Sequence, residues 1–257
     1  MAASTVELIA LRGLPLVEPG DDLAALLVDG IRTSGLTPRA HDVIVVAQKI
    51  VSKAEDRYCR IADVVPSERA KELAAQSGKD PRLIEVILGE TTEVMRCTRG
   101  VVITRHRSGF VMANAGVDQS NIEHEGVEDR VLLLPADPDA SAAALKHRLD
   151  SAFSVPLAVI INDSFGRAWR NGVTGVALGA AGLPALIDMV GEPDLFGRAL
   201  RVTQIAFADE IAAAASLLMG QAAERQPAIL VRGLDWGARP ANPAGALIRP
   251  RELDLFP

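Results

Sequence analysis

The sequence lacks the features of secreted, membrane-spanning and nucleic-acid-binding proteins. Its 257 residues include only two cysteines, Cys59 and Cys97, which form no CxxC pair, so a reduced cytoplasm is the expected location. No apolar run approaches the roughly 18 residues of a membrane span, and no signal peptide is expected. Basic residues form no block and the net charge is -6, so we expect neither a membrane nor a nucleic acid as partner.

The two common phosphate-binding motifs, G-x-G-x-x-G and G-x-x-x-x-G-K-[ST], are also missing. A Rossmann or P-loop nucleotide site is therefore not expected, and any nucleotide would bind in another way. Hydrophobic residues make up 49% of the chain, enough for one large domain or two closely joined ones. Predicted strands alternate with helices, two of which start at Asp80-Pro81 and Asp137-Pro138, but without a regular βαβ order. We therefore expect a mixed α/β (α+β) fold.

A short apolar run and the polar residues after it form the first candidate site. Leu157–Ile161 is rich in β-branched residues, which is typical of a buried strand. The carboxylate of Asp163 and the hydroxyl of Ser164 follow, and oxygen atoms at the carboxyl end of a strand suit a hard cation. Arg167 and Arg170 come next and can bind an anionic substrate through forked hydrogen bonds. A polar turn that ends a core strand is an equally good interpretation.

A second apolar run, Asp42–Ala47, predicts another buried strand, followed by Gln48, Lys49 and Lys53. The chain has five lysines in all, so two of them four residues apart stand out. A lysine just beyond a strand can bind phosphate oxygens as a compact charge. A pair of solvated lysines is the alternative.

The polar segment 114–121 is the third candidate site. Its glycine and small residues allow the backbone to approach a ligand, and Asp118 and Asn121 lie three residues apart. In a turn or in the first turn of a helix, this spacing places both side chains on one side. Alternatively, each side chain bonds only its own backbone in an Asx-turn.

Two further expectations concern secondary structure alone. Val101–Thr104 and Phe110–Ala113 predict a hairpin, with His106 solvated at its tip. Leu200–Phe207 predicts a strand.

Five segments together resemble the CofE family, the coenzyme F420-0:L-glutamate ligases. They are GLPLVEPGDDL (13–23), VIVVAQKIVSKAEDR (43–57), ANAGVDQSNI (113–122), VIINDSFGRAWRNGVTGVALGAAG (159–182) and VTQIAFADEIAAAASLLMGQ (202–221). Each segment alone is a weak signal, but they occur in the family's order and span nearly the whole chain. The resemblance implies a single CofE-like ligase domain over residues 1–257, with two interleaved subdomains as a variant, and no C-terminal nitroreductase-like domain.

The resemblance also implies an activity, a GTP-dependent amide ligation. It would join the α-amine of L-glutamate to the lactyl carboxylate of the deazaflavin precursor F420-0 through an acyl phosphate, and would then add further γ-linked glutamates. Two divalent ions, Mg²⁺ or Mn²⁺, are implied, and K⁺ is a further candidate. The family fold is an unusual α/β arrangement, neither Rossmann nor P-loop, assembled as an intertwined homodimer with the nucleotide groove near the subunit contact.

Site residues are carried over by motif. Nucleotide binding would involve Leu14, Pro15, Leu16, Val17, Gln48, Lys53, Asn121 and Gln221. The metal ions would be held by Asp118, Asp163 and Ser164. The catalytic set would be Asp118, Asp163, Lys53, Arg167 and Arg170, where charge and sequence proximity alone assign the two arginines to an acidic substrate. The chain departs from the family at Gln48, where many relatives have Ser, and at Ser164, where others have Thr and the hydroxyl is kept.

Two other classes of protein are compatible with the same residues. A metal-dependent phosphohydrolase or phosphotransferase would use the same aspartates and would turn over GTP without glutamate. A non-catalytic nucleotide-binding regulator would bind GTP tightly without any turnover.

Overall fold

The computed structural model describes residues 5–120 and 130–254. In these ranges helices and strands alternate, which confirms the expected mixed α/β class. The strands are β1 (Glu7–Ala10), β2 (Val43–Ala47), β3 (Tyr58–Arg60), β4 (Thr91–Thr98), β5 (Val101–His106), β6 (Val111–Ala113), β7 (Arg130–Leu132), β8 (Ala158–Arg167), β9 (Arg170–Ala181), β10 (Ile187–Asp188), β11 (Gln204–Ile205) and β12 (Ala228–Arg232). The α-helices are α1 (Leu23–Thr33), α2 (Gln48–Ala54), α3 (Glu68–Ser77), α4 (Pro81–Gly89), α5 (Pro138–Phe153) and α6 (Phe207–Met219). None of these helices is long and apolar enough to span a membrane.

Five strands form the central sheet, in the order β1-β12-β2-β8-β9. Neighbouring strands are antiparallel except for β2 and β8, which run parallel. In this parallel pair Val43 lies opposite Ala158 and Ala47 lies opposite Asn162. The two apolar runs that the sequence predicts as buried strands therefore end side by side, at the same edge of the sheet.

Helices cover both faces of this sheet. Because side chains alternate along a strand, Ile44 and Val46 pack toward α1, α2 and α5, whereas Val43 and Val45 pack toward α6. All four side chains are completely buried. Burial on both faces explains why β2 reads as a continuous apolar run rather than as an alternating one.

Two glycines of β9 allow helices to approach the sheet closely. A Cβ atom at Gly175 would collide with the carbonyl group of Ala212 in α6, and one at Gly179 would collide with the carbonyl group of Pro138 in α5. A larger residue at either position would push a helix away from the strand. Glycine is therefore required here by packing.

A smaller layer is built from the antiparallel sheet β4-β5-β6, on which α3 and α4 pack. Its core contains Leu73, Ile84, Ile87 and Val102, all of them buried. Proline and aspartate start α4 as the sequence predicts, since the Asp80 carboxylate accepts a hydrogen bond from the backbone N–H of Arg82 at 2.8 Å. The strand pair β3–β7 lies beside this layer and packs on α4 through Ile61, Val86 and Val131.

Two strand predictions need correction. The polar residues 162–164 do not form a turn, because β8 continues to Arg167 by pairing with β9 beyond the end of β2. The long strand predicted over Leu200–Phe207 is also wrong, since only Gln204–Ile205 is extended and α6 already begins at Phe207. Its partner β10 has two residues, and the backbone hydrogen bonds that Leu200 and Thr203 make with residues 189–192 do not extend the strand.

The expectation for His106 is wrong as well. The hairpin itself is confirmed, because β5 and β6 pair antiparallel. However, β5 extends through His106, whose side chain is buried. Its Nε2 atom lies 3.3 Å from a carboxylate oxygen of Glu90, which also meets Arg57 and Arg107. The partner of the His106 imidazole is thus a carboxylate from another part of the chain, which the sequence around His106 does not indicate.

Candidate active site at the carboxyl ends of the parallel strands

The parallel strands bring two candidate segments together. Helix α2 begins at the residue after β2, so Lys49 lies in its first turn. Asp163 follows the last residue of β8 that pairs with β2. The sheet register alone therefore places Lys49 and Asp163 at one edge of the molecule's central sheet.

A left-handed turn brings in the third candidate, Asp118. Three consecutive residues, Asn114, Ala115 and Gly116, have positive φ angles of 53°, 52° and 70°. Ala115 is buried in this conformation, which L-residues with a Cβ atom rarely adopt. Such strain persists only where the surrounding structure enforces it, and it is common at functional sites. Asp118 is then fixed by two backbone hydrogen bonds with Leu132, at 3.0 and 2.9 Å.

Lys49 and Ser120 hold the Asp118 carboxylate. The Lys49 Nζ atom lies 2.8 Å from Asp118 Oδ2 and donates to Ser120 Oγ at 2.6 Å. The backbone N–H of Ser120 donates to Asp118 Oδ1 at 2.7 Å. The segment is therefore an Asx-turn, as one interpretation of the sequence held, and it also carries an ion pair to another element.

The two carboxylates differ in their ionisation. Burial raises the pKa of Asp163 to about 6, and the negative charge of Asp118 adds to this increase, against a backbone hydrogen bond from Ser164 and the charge of Lys49. Burial also acts to raise the pKa of Asp118, but hydrogen bonds from Lys49 and Ser120 outweigh it and hold that pKa below its usual range. One lysine thus serves two carboxylates, which leaves a surplus of negative charge.

Ser164 and Gln221 also meet. The Ser164 hydroxyl donates to Gln221 Oε1 at 2.7 Å, although the two residues are far apart in sequence. Beside them, Asn162 is buried and its Nδ2 atom donates to Ser216 Oγ at 3.2 Å. The Asn162 Oδ1 atom is buried without a hydrogen-bond partner in the part of the chain that the structure describes. Polar side chains from β8 and from the end of α6 therefore line the same edge as Asp163.

The 14–17 segment of the predicted set packs in the core that also contains residues of α2. Val17 is buried in the core beneath α1, Leu16 is exposed, and Leu14 packs against Gly30 of α1. These contacts place the 14–17 segment, including Pro15, against α1 and the core beneath it. Asn121 lies outside the described residues.

Two further predicted residues lie on α2. Gln48 is buried, and its Oε1 atom accepts a hydrogen bond from Ser52 Oγ at 2.9 Å. Lys53 is half-buried one helical turn after Lys49, so both lysines share a face of the helix.

Arg167 and Arg170 lie at the exposed tip of the β8–β9 hairpin. Arg167 is four residues beyond Asp163 along an extended strand, a separation of about 13 Å. Within one chain the hairpin therefore does not fold the arginines back onto the carboxylates.

Lys49 and Ser120 are the contacts that motif matching did not assign. The scarcity of lysine singled out the pair Lys49 and Lys53, but nothing in the sequence indicated that the first of them contacts Asp118. A contact between residues 49 and 118 depends on the turn at 114–116 and on the register of the sheets. Only the folded chain supplies that information.

The donor set fits a divalent cation of the Mg²⁺ type. The carboxylates of Asp118 and Asp163 are hard oxygen ligands with negative charge, and the Ser164 hydroxyl is a further oxygen atom on the opposite face of β8, beside Gln221. Mg²⁺ is commonly bound by one or two carboxylates together with substrate phosphates and water. Within residues 5–120 and 130–254 no group of three His, Cys, Asp or Glu side chains could bind a metal by itself.

The fold and the cluster define an α/β protein with an acidic, lysine-bearing site at the carboxyl edge of its parallel strands. Open α/β sheets characteristically bind their ligands at this edge.

Sequence comparison identifies the family. The pattern of the family described as "F420-0:Gamma-glutamyl ligase" matches residues 13–233. The chain is 45% identical over 252 residues to the coenzyme F420:L-glutamate ligase of Methanothermobacter thermautotrophicus, with 98% of each chain covered. It is 44% identical over 246 residues to the protein of the same name from Methanopyrus kandleri, with 93% of each chain covered. The chain belongs to the F420-0:γ-glutamyl ligase family, and this confirms the resemblance drawn from the five motifs.

A third relative gives the same result. The coenzyme F420:L-glutamate ligase of Archaeoglobus fulgidus is 43% identical over 230 residues, which are 90% of this chain and 88% of the relative. The similarity to these proteins extends over both the central sheet and the smaller layer. The site described above thus lies entirely inside the matched region.

Proposed function

We propose that the protein is a GTP-dependent ligase that joins L-glutamate to F420-0 in the biosynthesis of coenzyme F420. Family membership supports the ligase activity and its two substrates, which the names of the family and of the relatives state. The observation that carries the phosphoryl-transfer route is the convergence of Asp118, Asp163 and Lys49 at one edge of the sheet. Two carboxylates and a lysine suit a reaction between highly charged phosphate and carboxylate groups.

The chemistry requires activation of the acceptor carboxylate, because a carboxylate oxygen is too poor a leaving group for attack by an amine. In the first step an oxygen of the F420-0 carboxylate forms a bond to the γ-phosphorus of GTP, and GDP leaves. In the second step the amine nitrogen of glutamate attacks the carbonyl carbon of this acyl phosphate. The C–N bond forms, inorganic phosphate leaves with the C–O bond pair, and the nitrogen loses a proton.

The divalent cations, Mg²⁺ or Mn²⁺, would be held by Asp118, Asp163 and Ser164. The monovalent ion K⁺ is a further candidate cofactor. When bound, such ions neutralise phosphate charge and align the reacting oxygens. The fit rests on the surplus negative charge of the two carboxylates and on the Ser164 hydroxyl at their edge. Gln221 accepts from that hydroxyl, and it would orient the Ser164 oxygen lone pairs toward a ligand.

Lys49 is the residue that positions Asp118 in this proposal. Its ammonium group contacts Asp118 Oδ2 and lies close enough to stabilise the negative charge of Asp163. Repulsion between the two carboxylates is thereby reduced before any ligand binds. Lys53, one turn later on the same face of α2, would extend positive charge along the phosphates of the nucleotide.

The nucleotide would be bound by the 14–17 segment, Gln48, Lys53, Asn121 and Gln221. Arg167 and Arg170 would anchor an acidic substrate from their exposed hairpin. A homodimer is part of the proposal, because Trp169 at this hairpin and Leu195 and Phe196 beyond β10 are each at least 87% exposed. Large apolar side chains in such number on protruding segments are typical of an interface. The addition of further γ-linked glutamates and a cytoplasmic location, with both cysteines free, complete the proposal.

The test is mass spectrometry of the deazaflavin product after incubation of the protein with F420-0, GTP, Mn²⁺ and L-glutamate. We expect mass increases of whole glutamyl residues that require GTP, and their number counts the glutamates added. Omission of glutamate should prevent release of phosphate beyond a single turnover.

Two outcomes would contradict the proposal. Continuous GTP hydrolysis without glutamate or F420-0, and without any mass increase, would indicate the metal-dependent phosphohydrolase instead. Tight GTP binding without turnover under all conditions would indicate a nucleotide-binding regulator.

A further inference from the structure

A cavity of about 310 Å³ is lined by Asp118 together with residues of α4 and of the strained turn. It lies between α4 and the strained turn, and its lining includes Lys79, Leu83, Val117, Asp118 and Ser120. Cavities of this size are at the lower end of the range for small-molecule sites. The candidate active site and this cavity therefore share the residue Asp118.

The cavity has an apolar wall. Leu83 and Val117 are half-buried and pack on the cores of the smaller layer, and Ile87 of α4 also lines the cavity. Asp118 and Ser120 line it too, and Lys49 bonds the side chains of both. A flat, partly apolar ligand could pack on the wall while its polar end reaches Asp118.

Lys79 gives the cavity a free positive charge. Its side chain is half-buried in the short connection between α3 and α4, and within the described residues it makes no hydrogen bond or ion pair. Lys49, Lys71 and Lys146 are paired with Asp118, Glu68 and Asp150. Lys53 also has a partner.

The adjacent carboxylate does not neutralise Lys79. Asp80 is engaged by the Arg82 guanidinium, with a shortest distance of 2.6 Å, and by the backbone N–H of Arg82 at 2.8 Å. A half-buried ammonium group without a counter-charge, facing a cavity, is suited to bind an anionic group of a ligand.

We propose that this cavity binds the acceptor of the ligation, an aromatic molecule that carries a phosphate group. Its ring would pack on Leu83 and Val117, its phosphate would bind Lys79, and its carboxylate would extend past Ser120 to the edge where Asp118 and Asp163 meet. The inference rests on the proposed function, since the deazaflavin precursor F420-0 has a planar ring, a phosphate and a terminal carboxylate.

A guanine nucleotide has similar chemistry, but the geometry favours the acceptor. The 14–17 segment, proposed for the nucleotide, packs on α1 and on the core of the central sheet. The cavity is lined instead by Leu83 and Ile87 of α4 in the smaller layer. The acceptor would thus lie against the smaller layer and most of the nucleotide set against the larger core, with Asn121, which follows Ser120 in the sequence, between them. Glutamate is too small to require an apolar wall of this kind.

The experiment is steady-state kinetics of Lys79→Gln with each of the three substrates varied in turn. We expect the KM for F420-0 to rise about tenfold, since a charge-assisted hydrogen bond is lost. The kcat and the KM values for GTP and glutamate should stay within twofold. Lys79→Arg should restore most of the affinity. The matched control is Lys71→Gln, which removes a lysine on α3 that is paired with Glu68 at the surface.

Direct binding provides a second readout, because the deazaflavin ring absorbs visible light and can be titrated without GTP or glutamate. We expect the same weakening for Lys79→Gln, and none for Lys71→Gln. A rise in the KM for GTP or for glutamate instead would assign the cavity to that substrate and overturn the proposal. Unchanged kinetics and binding, in a wild-type protein that ligates, would overturn the cavity assignment alone. A wild-type protein that does not ligate would overturn the proposed function, and the acceptor assignment with it.

Discussion

The aspartates at the two ends of the parallel strand pair β2–β8 differ in how their charge is balanced. At the amino end, Asp42 is completely buried and is matched by Arg232, whose Nε atom donates to Asp42 Oδ1 at 2.9 Å. The backbone N–H of Arg39 adds a further hydrogen bond to this carboxylate at 2.8 Å. At the carboxyl end, Asp163 and Asp118 both interact with Lys49, which among the described residues contributes one positive charge to two carboxylates.

This difference separates a carboxylate that is paired within the protein from one that we propose to bind a cation. The Asp42 charge is balanced inside the protein, so nothing further can bind there at a gain in electrostatic energy. The Asp163 charge is not balanced, and its pKa of about 6 reflects the energy that burial and Asp118 impose on the ionised form. In the proposed function, a cation would recover that energy on binding. Unbalanced charge at one end of the strand pair thus supports the proposed site.

The largest expected effect is on turnover at the carboxyl end. Asp163→Asn should lower kcat about 10³-fold, because a ligand of the cation and its charge are lost. Its melting temperature should not fall, since the variant removes a destabilised charge. Ligation assays and calorimetry on the same preparation check both statements. Near-normal turnover, or a large loss of stability, would remove the distinction between the two ends.

The next effect is on stability at the amino end. Arg232→Met leaves the Asp42 carboxylate buried without its partner and should lower the free energy of unfolding by about 3–5 kcal/mol. Turnover per folded molecule should not change. Urea unfolding measures the loss, and the double variant Asp42→Asn/Arg232→Met should recover part of it. A stable single variant would show that the ion pair does not balance this end.

The pH dependence of the free energy of unfolding should distinguish the two ends of the strand pair, even when no ligand is bound. The folded pKa of Asp163, about 6, lies above its unfolded value, so the folded protein holds the proton more tightly. In chelator, the free energy of unfolding should therefore fall as the pH rises from about 4 to about 6, by at most about 3 kcal/mol, and then level off. The comparison is wild type minus Asp163→Asn, in urea at each pH. A difference that does not depend on pH would contradict the raised pKa.

The smallest effect is expected at the hydroxyl beside Asp163. Ser164→Ala removes one oxygen ligand and the hydrogen bond to Gln221, and should lower kcat about tenfold with little change in stability. Ser164→Thr keeps the hydroxyl and should retain most of the activity. The measurement is ligation rate against Mn²⁺ concentration for both variants. Equal losses in the two variants would point to packing rather than to a ligand.

Local patterns in the sequence predict much of the fold. The apolar runs give β2 and the first half of β8, and the Asp-Pro pairs give the starts of α4 and α5, because burial and capping depend on neighbouring residues. Motif matching also identified Asp118, Asp163, Ser164 and Gln221, of which the structure brings the first two together around Lys49 and the last two into contact.

The predictions that were wrong concern segments whose structure depends on partners from elsewhere in the chain. The second half of β8 is extended because β9 pairs with it. His106 is buried because the Glu90 carboxylate provides a partner for its imidazole. The segment before α6 is mostly not a strand because β10 offers two residues only. None of these partners lies in the window of sequence that the pattern covers.

The sequence by itself determined the family, the class of fold and the identity of the acidic residues, because these depend on residue types in fixed order along the chain. The tertiary structure decided how those residues are charged. Lys49 reaches Asp118 only through the strained turn at 114–116, and Asp163 stands beside both only through the parallel register of β2 and β8. Electrostatic energy depends on distance and burial in space, and sequence separation fixes neither.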